Sequence, residues 1–192
     1  ALGISGINVT APHKVEVMKY IDVVTDGAKK LGSVNTVVNR DGKLYGYNTD
    51  ADGFCMALTK AGIEIENSRI LIIGAGGVVR PTLIRLIDNK PKSITVVNRT
   101  KSKAKTLAED ILKSTGFEVN TEIDKLEFDI VINTTSAGME PQENVMPIEN
   151  IEEINDLSFI NENTAAVDMI YNPDKTLFLQ EAEKRGAKIL NG

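Results

Sequence analysis

Polar and apolar positions change rhythm about a third of the way along the chain. In the first stretch, residues 4–9, Ile-Ser-Gly-Ile-Asn-Val, predict a strand. Thr10-Ala11-Pro12 then predicts a helix start, with Thr10 as N-cap and Pro12 in the first turn, and Val15, Met18 and Ile21 recur at helical spacing. Residues 23–31 predict a second short helix. Val34 to Arg40 predicts a strand, Asp41-Gly42 a turn and Lys43 to Tyr47 its hairpin partner. A helix is expected from about Ala51 to Lys60, stopped by Gly62.

From Arg69 onward, strand and helix patterns alternate. Strands are predicted at 69–73, 93–97, 116–119, 129–132, 165–169 and 187–190, and helices at about 77–89, 101–114 and 176–185. That alternation argues for an α/β fold with a parallel sheet and right-handed crossovers. Residues 139–163 are polar and irregular and predict a surface loop with short helical pieces. No internal repeat or low-complexity tract is present.

Arg69-Ile70-Leu71-Ile72-Ile73-Gly74-Ala75-Gly76-Gly77-Val78-Val79-Arg80 organises this second stretch. An apolar run feeds a glycine turn that opens a helix, an arrangement suited to holding a pyrophosphate. Glycine lets the backbone approach the phosphates, and free N–H groups at the helix start meet their charge. The third small-residue position of a G-x-G-x-x-G pattern falls on Val79, so this copy is imperfect. Pro81 should cost one backbone bond, tolerable only in the first helical turn. Roughly 20 residues downstream, where a ribose-reading group sits, the chain has Asn98-Arg99-Thr100, followed by Lys101, Ser102 and Lys103. No carboxylate there repels a 2′-phosphate, and Arg99 can grip one bidentately, so the expected cofactor is NADP. The alternative is an ordinary α/β packing turn beside a solvated basic helix start.

Composition narrows the classes. A net charge of −5 argues against nonspecific nucleic-acid binding. A single cysteine, Cys55, allows no internal disulfide and fits a reducing cytoplasm, and the lone His13 builds no metal site, so no metal is expected. No apolar stretch approaches ~18 residues, so no membrane span is expected, and no signal peptide is visible. The expected location is cytoplasmic. The chain starts at Ala1, and Leu2-Gly3-Ile4 reads as already in mid-strand, which suggests an excised or incomplete polypeptide.

Polar groups also gather where elements end: Asn8-Val9-Thr10-Ala11-Pro12-His13-Lys14, Gly32-Ser33-Val34-Asn35-Thr36, and Gly46-Tyr47-Asn48-Thr49-Asp50. Singly, each has a bland alternative. Thr10 serves equally as a cap, Asn35 as a turn amide, Asp50 as the N-cap of the next helix, and Lys14 as a solvated lysine.

Together these segments resemble the shikimate dehydrogenase family. The resemblance rests on N-V-T-x-P-x-K at Asn8 to Lys14, G-x-V-N-T at Gly32 to Thr36 and N-T-D-x-x-G at Asn48 to Gly53. It continues through G-A-G-G at Gly74 to Gly77, N-R-T at Asn98 to Thr100, I-N-T-T-S-x-G-M at Ile132 to Met139, and D-M-I-Y-N-P at Asp168 to Pro173. These run in family order over essentially the whole chain.

The resemblance implies NADP-linked interconversion of 3-dehydroshikimate and shikimate in aromatic amino-acid biosynthesis. Its catalytic pair falls on Lys14 and Asp50. A lysine beside the carbonyl can supply the proton that the developing alkoxide needs, and a neighbouring carboxylate orients it. Substrate contacts fall on Thr10, Lys14, Asn35 and Asp50, with Tyr171 from the second domain. Cofactor contacts fall on Asp26, on Gly74, Ala75, Gly76, Gly77 and Val78, on Asn98, Arg99, Thr100, Lys101, Ser102 and Lys103, and on Met169 and Gly192. Two departures stand out. The family's Ser-x-Ser segment, which holds the substrate carboxylate, and its closing helix with a substrate-binding glutamine have no counterpart in these residues.

The resulting expectation is two domains, residues 1–50 as an incomplete substrate domain and 51–192 as a Rossmann-like NADP domain. The partner is the small-molecule substrate, not nucleic acid or membrane, and a homodimer is allowed. Two alternatives stay open. One is a truncated nucleotide-binding fragment with little catalysis. The other is a relative acting on quinate with NAD, against which the basic Asn98-Arg99-Thr100-Lys101 segment argues.

Overall fold

The computed structural model describes residues 3–154 and 156–192. Leu2, in the expected mid-strand start, and Asn155, in the expected surface loop, lie outside the described residues. The chain forms two compact units, Ala1–Met56 and Ala57–Gly192.

The first unit is built on a four-stranded sheet. β1 (Gly6–Asn8) pairs antiparallel with β3 (Thr36–Arg40), β3 antiparallel with β4 (Lys43–Tyr47), and β2 (Val23–Val24) parallel with β4, in the order β1-β3-β4-β2. The β3–β4 hairpin turns on Asp41 and Gly42, both at positive φ (53° and 85°), the backbone that a two-residue hairpin of matching twist requires. Ala28, Val34 and Val37 form its buried core, with Val9, Met18, Ile21 and Leu44 packed around them.

Two expectations in this unit are corrected. The helix expected after Thr10 is a run of turns followed by a 3-10 helix, Glu16–Tyr20, with Val15 rather than Thr10 at its N-cap. Val15, Met18 and Ile21 are three apart, the repeat of a 3-10 helix rather than of an α-helix. The Lys14 carbonyl also accepts from Val34 N–H at 2.8 Å, which removes it from any helical ladder. The helix expected over 23–31 is split. Val23-Val24 joins the sheet edge as β2, and α1 spans only Asp26–Leu31. Thr25 caps α1 through its hydroxyl and Gly32 closes it at φ 70°, so the helix boundaries follow the cap residues.

Helix α2 (Asp50–Lys60) leads out of the first unit, and Gly62, at φ 66°, follows its end. The second unit is a five-stranded parallel sheet: β5 (Arg69–Ile73), β6 (Ser93–Val97), β7 (Ile130–Asn133), β8 (Ala165–Asp168) and β9 (Lys188–Leu190), in the order β6-β5-β7-β8-β9. Helices α3 (Val79–Asp88), α4 (Lys101–Thr115) and α5 (Leu177–Lys184) complete it. Ile70 to Ile73 are wholly buried, as befits a continuous apolar strand covered on both faces. Val79 is fully buried too, so the larger residue in the imperfect glycine pattern fills core space. Pro81 is the third residue of α3, within the first turn, where its missing N–H costs little.

No strand forms at 116–119. Gly116 ends α4 in the left-handed region at φ 76°, Phe117 N–H is taken by the Thr115 hydroxyl, and the chain touches β6 only at one bridge, Thr95 to Asn120. The segment 139–163 is irregular and begins at the surface, with residues 139–144 exposed, but its later part is not a surface loop. Ile148, Ile151, Ile154, Leu157 and Ile160 are buried in the core formed with β5, β7 and α5. They recur every three residues, and three-residue turns (Ile151 to Ile148, Ile154 to Ile151, Ile160 to Leu157) bring them to one side.

Candidate functional site

In the first unit, three elements converge on one carboxylate. Lys14, in the turns after β1, places Nζ 2.7 Å from Asp50 Oδ2, and Asn35, just before β3, donates its amide to Asp50 Oδ1 at 2.7 Å. The Asn35 amide is itself fixed. Its nitrogen reaches the Thr49 hydroxyl at 2.9 Å, and its oxygen accepts from Thr49 N–H at 2.9 Å and from the Thr36 hydroxyl at 3.0 Å. Asp50 opens α2, but its carboxylate is turned to Lys14 and Asn35. Asn48, buried, accepts from Asp50 N–H through its side-chain oxygen and donates to Ser33. The Lys14 side chain is only 25% exposed, so it is not a solvated surface lysine. Thr10 is exposed, and its carbonyl accepts from His13 N–H. Asp26, also exposed, opens α1 and pairs with Lys29 at 3.3 Å.

In the second unit, the sheet order reverses between β5 and β7. Such a switch point opens a crevice beyond the carboxyl ends of the strands, where α/β proteins place ligands. Gly74 ends β5 there, at φ 115°. A Cβ on Gly74 would collide with the Thr134 hydroxyl and lie 3.0 Å from Thr135 Cγ2, so glycine is required. Ala75 follows it into the turn. Gly76 and Gly77 differ: a Cβ on either would meet nothing within 4 Å, and both are exposed. Their open faces, beside the start of α3, leave room for a phosphate group to approach the backbone. Val78 is exposed at the same turn.

Beside this turn lies a cavity of about 280 Å³ lined on one wall by Gly74, Asn98, Arg99, Thr100 and Lys103. Asn98 shapes that wall by donating to Thr100 O at 2.9 Å. The facing wall, which includes Thr135, Ser136, Gln142, Met146 and Asn150, was not anticipated. Its signal was present, since Asn133-Thr134-Thr135-Ser136 is a polar cluster directly after an apolar strand.

Lys101 and Ser102 do not line the cavity. Lys101 is drawn away by Glu152 at 2.8 Å and Glu153 at 2.9 Å, whose hydrogen bonds hold its ammonium well above the usual lysine range. The same contact holds the Glu153 carboxyl below its ordinary range. Met169 and Gly192 meet closely. A Cβ on Gly192 would stand 2.6 Å from Met169 O, and Gly192 N–H bonds Ile170 O. Tyr171, 76% exposed, follows them in the turn after β8. Among the described residues no group of His, Cys, Asp and Glu could hold a metal, and no helix is long and apolar enough to cross a membrane.

A family model described as "Shikimate / quinate 5-dehydrogenase" matches residues 56–173, and one described as "Shikimate dehydrogenase substrate binding domain" matches residues 1–37. The chain is 45% identical to a Geobacillus sp. protein named shikimate dehydrogenase (NADP(+)), over all of this chain and 69% of that one. The chain belongs to the shikimate / quinate 5-dehydrogenase family. Among solved structures, it is similar to a shikimate dehydrogenase in complex with NADP+, with a TM-score of 0.87 and 38% identity over all of this chain and 66% of that one. It is similar as well to the shikimate 5-dehydrogenase of Thermus thermophilus in complex with NADP(H) and shikimate. There the TM-score is 0.81 and the identity 32%, over 98% of this chain and 67% of that one. The chain thus spans about two thirds of the length of these relatives.

Proposed function

We propose that this chain carries an NADP-dependent oxidoreductase, a shikimate dehydrogenase that interconverts 3-dehydroshikimate and shikimate in aromatic amino-acid biosynthesis. The observation that carries the reading is the Lys14–Asp50 contact at 2.7 Å with Asn35 locked on the other carboxylate oxygen. Bound NADP supplies the hydride chemistry at a carbon that changes between ketone and alcohol. Lys14 Nζ gives a proton to the oxygen as the ketone is reduced and takes it back as the alcohol is oxidised. Asp50 aims that ammonium, and Asn35 keeps Asp50 from turning. Thr10, Asn35, Asp50 and Tyr171 contact the substrate's hydroxyl groups.

Gly74, Ala75, Gly76, Gly77 and Val78 receive the pyrophosphate at the start of α3. Asn98, Arg99, Thr100 and Lys103 receive the ribose and its 2′-phosphate, Lys101 and Ser102 stand beside them, and Met169, Gly192 and Asp26 complete the cofactor contacts. The first unit is then the substrate domain and the second the NADP domain. The setting is the cytoplasm, and a homodimer fits the reading.

Calorimetric titration of the purified chain tests it. NADPH is expected to bind at least ~10-fold more tightly than NADH, a charge-assisted bond to the 2′-phosphate being the difference. Arg99→Ala should remove that preference and leave NADH binding unchanged. Equal affinities in the unaltered chain would refute the NADP reading.

A further inference from the structure

Asp168 ends β8, is wholly buried, and is used by no step above. Four hydrogen bonds converge on it, all from donors. Asn133 Nδ2 lies 3.1 Å from Oδ1 and 3.2 Å from Oδ2, the Thr176 hydroxyl lies 2.7 Å from Oδ2, and Ile170 N lies 2.9 Å from Oδ1. Burial pushes its carboxyl above the ordinary range, and these bonds oppose that. An all-donor shell is built for an acceptor-only group, which among side chains of this size means a carboxylate.

Each donor belongs to a different piece of the site wall. Asn133 ends β7. Its oxygen accepts from Thr135 N–H at 2.9 Å and from the Thr135 hydroxyl at 2.8 Å, and its nitrogen also donates to Ala137 O at 3.2 Å. The Thr135 hydroxyl in turn accepts from Ala137 N–H at 3.1 Å. Thr135, Ser136 and Ala137 line the cavity opposite Arg99. Ile170 lies between Met169 and Tyr171, and Thr176 caps α5 by accepting from Leu179 N–H. One buried carboxylate therefore ties the turn after β7, the turn after β8 and the start of α5.

We propose that Asp168 is a positioning residue that holds the Thr135–Ala137 turn, through Asn133, and the Met169–Tyr171 turn, through Ile170 N–H, in the arrangement that receives the cofactor. The inference rests on the cofactor reading above for its ligand, though not for its first test.

Hydrogen exchange on the ligand-free chain is that test. Asp168→Asn preserves shape but turns an acceptor into a donor that faces donors. The amides of Thr135, Ala137 and Ile170 should exchange at least ~10-fold faster, while those of Ile72 and Ile73 in β5 stay as protected as before. NADPH affinity by titration should fall at least ~10-fold in the same variant. Thr176→Val should open the same three amides and Thr176→Ser should restore them, and this pair decides the matter if Asp168→Asn does not fold. Loss of the α5 cap alone would expose only Leu179. A folded Asp168→Asn chain with unchanged exchange at the three amides, or a Thr176→Val chain that opens only Leu179, overturns the proposal. An unaltered chain that fails to bind NADPH refutes the cofactor reading instead and leaves the exchange result to judge Asp168.

Discussion

Adding one methyl group at Gly74 and at Gly76 should have opposite consequences. At Gly74, a side chain must adopt φ 115°, a region that costs about 1–3 kcal/mol for a residue other than glycine. The new Cβ would also collide with the Thr134 hydroxyl and press on Thr135 Cγ2 at 3.0 Å. Thr134 cannot easily give way, because its hydroxyl donates to the buried Ile73 carbonyl at 2.8 Å. Overpacking of this kind costs about 1–3 kcal/mol. Gly74→Ala should therefore lose about 4 kcal/mol and lower the melting temperature of the second unit on the order of 10 °C. At Gly76 and Gly77 the methyl meets open space, so stability should stay within about 0.5 kcal/mol of the parent. There the methyl occupies the face left for phosphate, and NADPH affinity should fall at least ~10-fold. Calorimetric unfolding and NADPH titration on the same samples separate the two effects. A Gly74→Ala chain as stable as the parent would refute the close-approach argument, and stable Gly76→Ala and Gly77→Ala chains with parental affinity would refute the phosphate cradle.

Lys14→Ala, in the natural gene product, should lower turnover at least ~10²-fold, the lower range for a positioned acid–base group. Asp50→Asn should be impaired as well, and steady-state assay of shikimate oxidation with NADP⁺ that finds Lys14→Ala near normal would remove Lys14 from the mechanism. Arg69 holds the Asp129 carboxyl below its usual range through a two-pronged contact at 3.0 and 3.1 Å, joining the starts of β5 and β7. Because the folded value is depressed, this stabilisation is full above the ordinary carboxylate pKa of about 4 and is lost as pH falls through the lower folded value. Asp129→Asn should thus melt below the parent at neutral pH, and the gap should close on acidification. A gap independent of pH would refute the assignment.

The second unit was largely legible because its signals are local and strong. Runs such as Ile70-Leu71-Ile72-Ile73 are read as buried strands without knowledge of their neighbours, and Gly74 marks the turn. The Lys14, Asn35 and Asp50 segments could be matched to a family, but no local pattern states that one carboxylate joins them. That contact depends on pairings 15 and 36 residues apart in sequence. Two of the four corrected elements share a cause. Val15-Met18-Ile21 and Ile148-Ile151-Ile154 repeat every three residues, a period that is neither the strand's nor the α-helix's. The family resemblance puts Lys101 among the cofactor contacts. Glu152 and Glu153 hold it, and nothing near it in sequence announces them.

The period-three segment also bears on how this family can change length. Between Ile148 and Ile160 the residues that reach the core are set by counting, not by a hydrogen-bonded ladder with neighbouring strands. Removing or inserting a single residue would shift every later isoleucine or leucine by a third of a turn and expose it. Removing or inserting three would keep the phase and change only the number of steps. Homologous sequences aligned through this region should therefore differ in length by multiples of three, even though its described residues carry no regular helix or strand.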